Sequence, residues 1–196
     1  MKSSLSLLII GCLLVSCGGD ASEAESYFKS GDYRKAIEYY TDMLKTKPKN
    51  VHLLYNRGRA YEELGHLDSA MADFNKALAA DPTNVAVLTG IATVYLKKKD
   101  YDNAVYYGDK AVEAGNDNAA AFYVRGRAYH SKGMFKEALA DYDDAININK
   151  TFGPAFLYRG AVKISMKRYS SGCSDLRIAK SLNVAEADQA LQKYCK

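Results

Sequence analysis

The chain has 196 residues, of which 48% are hydrophobic, 26% charged and 11% aromatic, and its formal net charge is +4 at pH 7. This apolar fraction is typical of a globular protein and excludes a chain that is disordered throughout. With only 14 Gly and 3 Pro, the sequence also excludes a collagen-like protein. The nearly balanced charge argues against a dedicated nucleic-acid binder, and no nucleic-acid partner is predicted.

The first residues have the pattern of an export signal. Met1 and Lys2 are followed by a largely apolar run over residues 5–15. This run is shorter than the ~20 residues that cross a bilayer as a helix, but it is typical of the core of a secretory signal. It ends in Leu-Val-Ser-Cys at residues 14–17, which resembles the lipobox of bacterial lipoproteins.

The lipobox resemblance implies that residues 1–16 are a signal peptide and that Cys17 becomes an acylated N-terminus, followed by a short linker over residues 17–22. More than one acyl chain, such as diacylglycerol with a palmitate, makes a stable membrane anchor. Gly18 stands where some bacteria use an aspartate to retain a lipoprotein in the inner membrane, so the resemblance favours the outer membrane. The alternative is an ordinary cleaved signal in which Cys17 carries no lipid.

The rest of the chain repeats with a period of 34 residues. Tyrosine and alanine recur at this spacing through four copies, at Tyr27, Tyr61, Tyr95 and Tyr129 and at Ala36, Ala70, Ala104 and Ala138. The most complete copy contains Leu54, Gly58, Tyr61, Gly65, Ala70, Phe74, Ala77 and Pro82. These residue types at these offsets resemble the tetratricopeptide repeat, and a fixed period of this kind indicates stacked helical units.

The resemblance implies an all-α fold, a right-handed α-solenoid of about five helix-turn-helix repeats with a C-terminal capping helix. The expected boundaries are 23–50 for a first repeat with a degraded first half, 51–84, 85–118, 119–152, 153–185 for a divergent fifth repeat, and 186–196 for the cap. The turns carry Gly or Lys, and Asn50, Asn84 and Asn118 are expected to cap the helices that follow them.

Arginine and aspartate occur together within the repeats. Three copies have Arg at the seventh and Asp at the twenty-third position, whereas the other two copies lack both. Since partly buried arginine favours bidentate contact with a carboxylate, we predict an ion pair between the two helices of each of these copies. The pairs are Arg57–Asp73, Arg125–Asp141 and Arg159–Asp175. The alternative is a row of anion-binding arginines.

In a tetratricopeptide solenoid the first helices of successive repeats line a concave groove, and the resemblance implies which positions face it. In this sequence they include Tyr55, Arg59, Glu62, Thr89, Thr93, Tyr123, Arg127 and His130. Exposed Tyr and Arg are enriched in interface hot spots, so we expect an extended peptide or a partner helix as the ligand. The alternatives are a small ligand or glycan, and a solvated surface without a ligand.

Two cysteines remain in the folded part of the chain. The helical pattern places Cys173 and Cys195 on opposite sides of a turn near residue 184, so that their side chains face each other. In an exported protein such a pair is a disulfide candidate, which would clamp a cap whose apolar face includes Ala187 and Tyr194. The alternative is two unpaired buried thiols.

The sequence contains no recognisable catalytic or metal-binding motif. His52, His66 and His130 lie in different copies, without Cys or carboxylate residues at metal-ligand spacing. A phosphate-binding Gly-Lys loop and a nucleophile elbow are also missing. No cofactor is therefore predicted, and we expect a non-enzymatic scaffold that binds protein or peptide partners and is anchored to a membrane of the bacterial cell envelope.

Overall fold

The computed structural model describes residues 21–195 of the chain. The predicted signal peptide, residues 1–16, and the predicted lipidation site Cys17 lie outside these residues. Within the described range the structure has eleven α-helices and no strand. The helices are α1 (Ala21–Lys29), α2 (Tyr33–Thr46), α3 (Val51–Glu63), α4 (Leu67–Ala80), α5 (Val85–Lys97), α6 (Tyr101–Ala114), α7 (Ala119–Ser131), α8 (Phe135–Ile148), α9 (Gly153–Ser165), α10 (Tyr169–Ser181) and α11 (Glu186–Tyr194).

The first ten helices form five consecutive pairs that stack on one another. Each helix contacts the next one along the chain, and α3, α5, α7 and α9 also contact each other in that order. This arrangement places the first helices of successive pairs side by side on one face. The all-α solenoid predicted from the repeat is confirmed.

All five turns within the pairs contain a residue in the left-handed conformation, again at a spacing of 34 residues. Three of these residues are glycines with φ between 76° and 82°, and the other two are Lys99 and Lys167, with φ of 61° and 62°. The left-handed conformation costs a residue with a Cβ about 1 kcal/mol, whereas it costs glycine almost nothing. Packing of the two helices therefore imposes the turn even where lysine replaces glycine.

The three predicted asparagine caps are present. The side-chain oxygens of Asn50 and Asn84 each accept a hydrogen bond from the backbone N–H three residues ahead, at 3.0 and 3.1 Å. Asn118 accepts two such bonds, from the second and third residues after it. Each cap contributes about 1 kcal/mol and fixes where the first helix of the next repeat begins.

Glycine allows the two helices of a pair to approach closely beneath an aromatic ring. A Cβ added at Gly58 would lie 2.6 Å from Cε1 of Phe74, and one added at Gly126 would lie 2.8 Å from Cε1 of Tyr142. Both rings are fully buried. A larger residue at either glycine would overpack the core, at a cost of about 1–3 kcal/mol.

The two ends of the stack differ in detail from the predicted boundaries. Helix α1 begins at Ala21, so the last two residues of the predicted linker are helical. Helix α11 packs on α10 and α9, where the cap was expected, and buries Ala187 completely. Tyr194, by contrast, is 44% exposed. No helix within residues 21–195 is long and apolar enough to span a membrane.

Candidate partner-binding groove

The three predicted arginine–aspartate pairs connect the two helices of their repeats. In each pair the arginine Nε and Nη2 donate to the two carboxylate oxygens of the aspartate at 2.6–2.9 Å. The aspartates are Asp73, Asp141 and Asp175, each 3% exposed. These hydrogen bonds raise the pKa of Arg125 above its ordinary value. The geometry is the bidentate one that arginine and carboxylate prefer.

The same arginines also join neighbouring repeats, which the sequence analysis missed. In each case Nη1 donates to a side chain on the second helix of the preceding repeat, at 2.6–3.0 Å. The contacts are Arg57–Thr41, Arg125–Asp109 and Arg159–Asp143. Since all three guanidinium nitrogens are hydrogen-bonded within the protein, these arginines do not form a row of anion-binding sites.

The two repeats without this pair use other contacts at the same positions. In the first repeat the hydroxyl of Tyr39 donates to Glu23 at 2.9 Å, which raises the pKa of Tyr39 to about 12. In the third repeat Ile91 is fully buried, and Tyr107 stacks on Tyr95 with ring centroids 5.5 Å apart. The seventh and twenty-third positions therefore interact in the first repeat too, where Glu23 stands in place of the arginine and Tyr39 in place of the aspartate.

The first helices of repeats two to four line a concave groove that encloses about 340 Å³. Seven of the eight residues predicted for the groove lie on its surface: Tyr55, Arg59, Glu62, Thr89, Thr93, Tyr123 and Arg127. The structure adds Phe152, which precedes α9, and Val124, and Lys97 at another groove-facing position also lies on this surface. The groove therefore combines aromatic rings with charged groups of both signs.

The eighth predicted residue, His130, does not line this cavity. Its imidazole lies between the rings of Phe135 and Tyr158, at centroid distances of 5.9 and 6.5 Å. His130 lies one turn after Arg127 on the same helix, where the next repeat partly covers it. Its position indicates packing between repeats four and five.

We expect the stability of this region to depend on pH through His130. Burial and the nearby Arg127 lower the pKa of His130 below its ordinary value of 6.5. As the pH falls through 6.5, the unfolded chain binds more protons than the folded chain, so the free energy of unfolding decreases on acidification until the lowered pKa is passed. Urea denaturation above and below this pH should show a smaller decrease for His130→Gln, and equal decreases would contradict the prediction.

Two arginines at equivalent positions of the groove have different electrostatic environments. Arg59 Nε lies 3.1 Å from Glu62 Oε2, and Nη2 lies 3.4 Å from Glu63 Oε1. Glu62 is only 4% exposed, and its Oε1 also lies 2.9 Å from Lys97 Nζ. The charges at this end of the groove, near repeats two and three, therefore neutralise each other.

Arg127, in repeat four, contacts aromatic rings instead of carboxylates. Its guanidinium carbon lies 5.6 Å from the ring centroid of Tyr123 and 5.1 Å from that of Tyr158. Within residues 21–195 it forms no ion pair. Burial raises the pKa of the Tyr123 hydroxyl, so this tyrosine stays neutral beside the cation. The groove thus presents one guanidinium whose charge is not compensated.

A comparison with protein families matches the tetratricopeptide repeat to residues 22–85, 77–119 and 89–154, more than half of the chain. The chain belongs to the tetratricopeptide repeat (TPR) family. Over 52 residues it is 35% identical to the Hsp70-Hsp90 organizing protein 2 of Arabidopsis thaliana. That segment is 26% of this chain and 9% of the plant protein, so the chain spans a small part of this relative.

Several solved structures share the fold of the described helices. The match to MamA (residues 41 to the end) from Desulfovibrio magneticus RS-1 has a TM-score of 0.66 and 19% identity, and it covers 85% of this chain and 97% of that one. A thermophilic TPR protein from Thermus thermophilus matches with a TM-score of 0.76 and 20% identity, over 88% and 93% of the two chains. For a tetratricopeptide repeat protein from Parabacteroides merdae the values are 0.78 and 21%, over 90% and 70%.

The described part of this TPR chain offers no metal centre. Within residues 21–195 no three His, Cys, Asp or Glu side chains cluster as metal ligands. The buried charged groups of the paired repeats form ion pairs between helices and bind each other.

Proposed function

We propose that this TPR protein is a non-enzymatic, membrane-anchored adaptor of the bacterial cell envelope, and that its groove binds an extended peptide segment of a partner protein. The groove has the aromatic and aliphatic surface that an extended chain requires, in Tyr55, Tyr123, Val124 and Phe152. Tyrosine and arginine are also the residue types that dominate binding energy at interfaces.

The uncompensated charge of Arg127 carries this proposal and indicates the chemistry of the ligand. Two tyrosine rings contact the guanidinium in cation–π geometry, and a planar acceptor on a ligand could pair with its charge. A glutamate or aspartate of the ligand would supply that acceptor. Val124 and Phe152 line the same cavity and would contact an apolar residue next to it. The ligand segment therefore combines an acidic residue with an aromatic or aliphatic neighbour.

The matched pair Arg127→Gln and Arg59→Gln tests this assignment. Peptides selected on the full chain from a random display library are expected to be enriched in acidic residues beside aromatic or aliphatic ones. Arg127→Gln should weaken the binding of such a peptide by about tenfold or more, as for a hot-spot arginine, because it removes the charge that the ligand neutralises. Arg59→Gln removes a charge already paired with Glu62 and Glu63, so its effect should be about threefold or less.

Fluorescence anisotropy with a labelled selected peptide gives both affinities, and circular dichroism shows whether each variant keeps its helices. Equal losses in the two variants would contradict the role of Arg127. Selection of no peptide, together with thermal stabilisation by members of a glycan panel, would favour the alternative ligand class, a small molecule or glycan in the groove.

Membrane anchoring rests on the lipobox-like sequence at residues 14–17. A disulfide between Cys173 and Cys195 supports export, because such bonds persist in oxidising compartments outside the cytoplasm. Cells expressing the full chain should incorporate labelled palmitate into the wild-type protein but not into Cys17→Ser, and fractionation should place the wild type in the outer membrane. Equal behaviour of the two proteins would contradict acylation at Cys17.

A further inference from the structure

A second surface lies at the C-terminal end of the solenoid, apart from the groove. Two clefts, of about 650 and 230 Å³, share Tyr169 on their rims. We define the terminal patch as Lys167, Arg168, Tyr169, Arg177 and Tyr194, which line one or the other of these clefts. Tyr169 is 52% exposed and Tyr194 is 44% exposed, so two aromatic rings face solvent among three cations.

Arg177 places a positive charge at a position where the earlier repeats have a neutral or acidic side chain. The equivalent residues of the earlier repeats are Thr41, Asn75, Asp109 and Asp143. Three of these accept a hydrogen bond from the arginine of the following repeat. A cation at this position cannot accept such a bond, so the last repeat does not continue the series. Within the described residues Arg177 forms no ion pair.

The turn before α10 also lacks the ion pair that ties the two preceding turns to their neighbours. In those turns a lysine lies 2.6 Å from an aspartate of the preceding repeat, in Lys98–Asp68 and Lys132–Asp102. In the last repeat the two equivalent positions are Met166 and Lys136. Lys167 and Arg168 follow Met166, are exposed, and make no contact with a carboxylate within residues 21–195.

The positive charge at the C-terminal end of the solenoid is therefore not neutralised by ion pairs within it. Residues 153–195 contain seven Lys or Arg and three Asp or Glu, an excess equal to the net charge of the whole chain. Two of the three acidic residues are already paired, Asp175 with Arg159 and Lys163, and Asp188 with Lys180. The cations of the terminal patch consequently attract an anionic partner.

We infer that the terminal patch binds an acidic, aromatic-containing segment of a second partner protein, independently of the groove. The two clefts beside Tyr169 are open to solvent, so side chains of a peptide can enter them. Exposed tyrosine beside arginine is the composition of interface hot spots. No residue that lines the groove lines either cleft, so both partners can bind one molecule.

The double variant R168Q/R177Q tests this inference on the full chain. The probe is a fluorescein-labelled synthetic peptide of alternating glutamate and tyrosine, compared with one of alternating glutamine and tyrosine. In the R127Q background, which removes the charge that would bind an acidic peptide in the groove, the chain should bind the glutamate peptide more tightly than the glutamine peptide, and addition of R168Q/R177Q should weaken that binding by about tenfold or more. The matched control K49Q/K76Q removes two exposed charges from other repeats and should change it by about twofold or less.

The R127Q background separates this patch from the groove, because the acidic, aromatic probe has the chemistry proposed for the groove ligand and would bind the wild type at both sites. Equal affinity of R127Q and R127Q/R168Q/R177Q, or an equal loss when K49Q/K76Q is added to R127Q, would overturn the inference. It would also fail if phosphatidylcholine vesicles containing phosphatidylglycerol bound through these arginines while the peptide did not, because the partner would then be a membrane.

Discussion

Replacement of Asp141 by Ala is expected to lower the free energy of unfolding by ~3–5 kcal/mol. The carboxylate of Asp141 is buried and accepts hydrogen bonds from Arg125 Nε at 2.9 Å and from Nη2 at 2.6 Å. Removing it leaves the guanidinium between α7 and α8 without its main counter-charge, and such an uncompensated charge is costly. Denaturant unfolding followed by circular dichroism measures the change.

Asp109→Ala is the matched control, because Asp109 contacts the same guanidinium at 3.0 Å but is 52% exposed. Its removal should cost about 1 kcal/mol or less. A double-mutant cycle on Arg125 and Asp141 should give a coupling of at least about 1 kcal/mol, as for residues in one buried network. A coupling near zero, or equal losses from both aspartates, would show that this pair does not hold the two helices together.

Asp141→Ala is expected to affect peptide binding as well as stability. Arg125 and Arg127 lie on different faces of α7, the first bonded to α8 and the second in the groove. If Asp141→Ala loosens α7, affinity for a groove-bound peptide should fall as well, although no groove residue has changed. Asp109→Ala should leave that affinity unaltered.

Loss of the C-terminal disulfide is expected to have the second largest effect. Cys173 and Cys195 are bonded across 22 residues, with Cα atoms 5.7 Å apart, and join α10 to the end of α11. Closing a loop of this size contributes about 3 kcal/mol in the chain-entropy description. Cys195→Ser should lose about this amount, measured as the difference in denaturant unfolding from the wild type under oxidising conditions.

Reductant provides the control within the same experiment. It should lower the stability of the wild type towards that of Cys195→Ser and leave the variant unchanged. Since repeats in a solenoid interact mainly with their neighbours, hydrogen exchange should accelerate in α11 and α10 much more than in α2 or α3. Insensitivity of the wild type to reductant, or loss of protection spread evenly over the chain, would contradict this account.

The sequence by itself determined the helices and the contacts within a repeat. The period of 34 residues located each helix pair, and asparagine before each of three first helices marked where it begins, because a cap acts on its own backbone. The joint occurrence of Arg125 with Asp141 indicated a contact across one hairpin. The position of the two cysteines about the turn near residue 184 indicated another contact of this kind, because facing positions in a hairpin follow from the chain order alone.

Only the tertiary structure decided the contacts between repeats. The stretch Arg-Gly-Arg-Ala-Tyr occurs at both 57–61 and 125–129, yet Tyr158 of the following repeat reaches Arg127, whereas Lys97 reaches the glutamate beside Arg59. The third hydrogen bond of each paired arginine and the displacement of His130 from the groove have the same origin. These contacts depend on the offset and rotation between successive repeats, which are set by how whole helix pairs pack and not by any local periodicity.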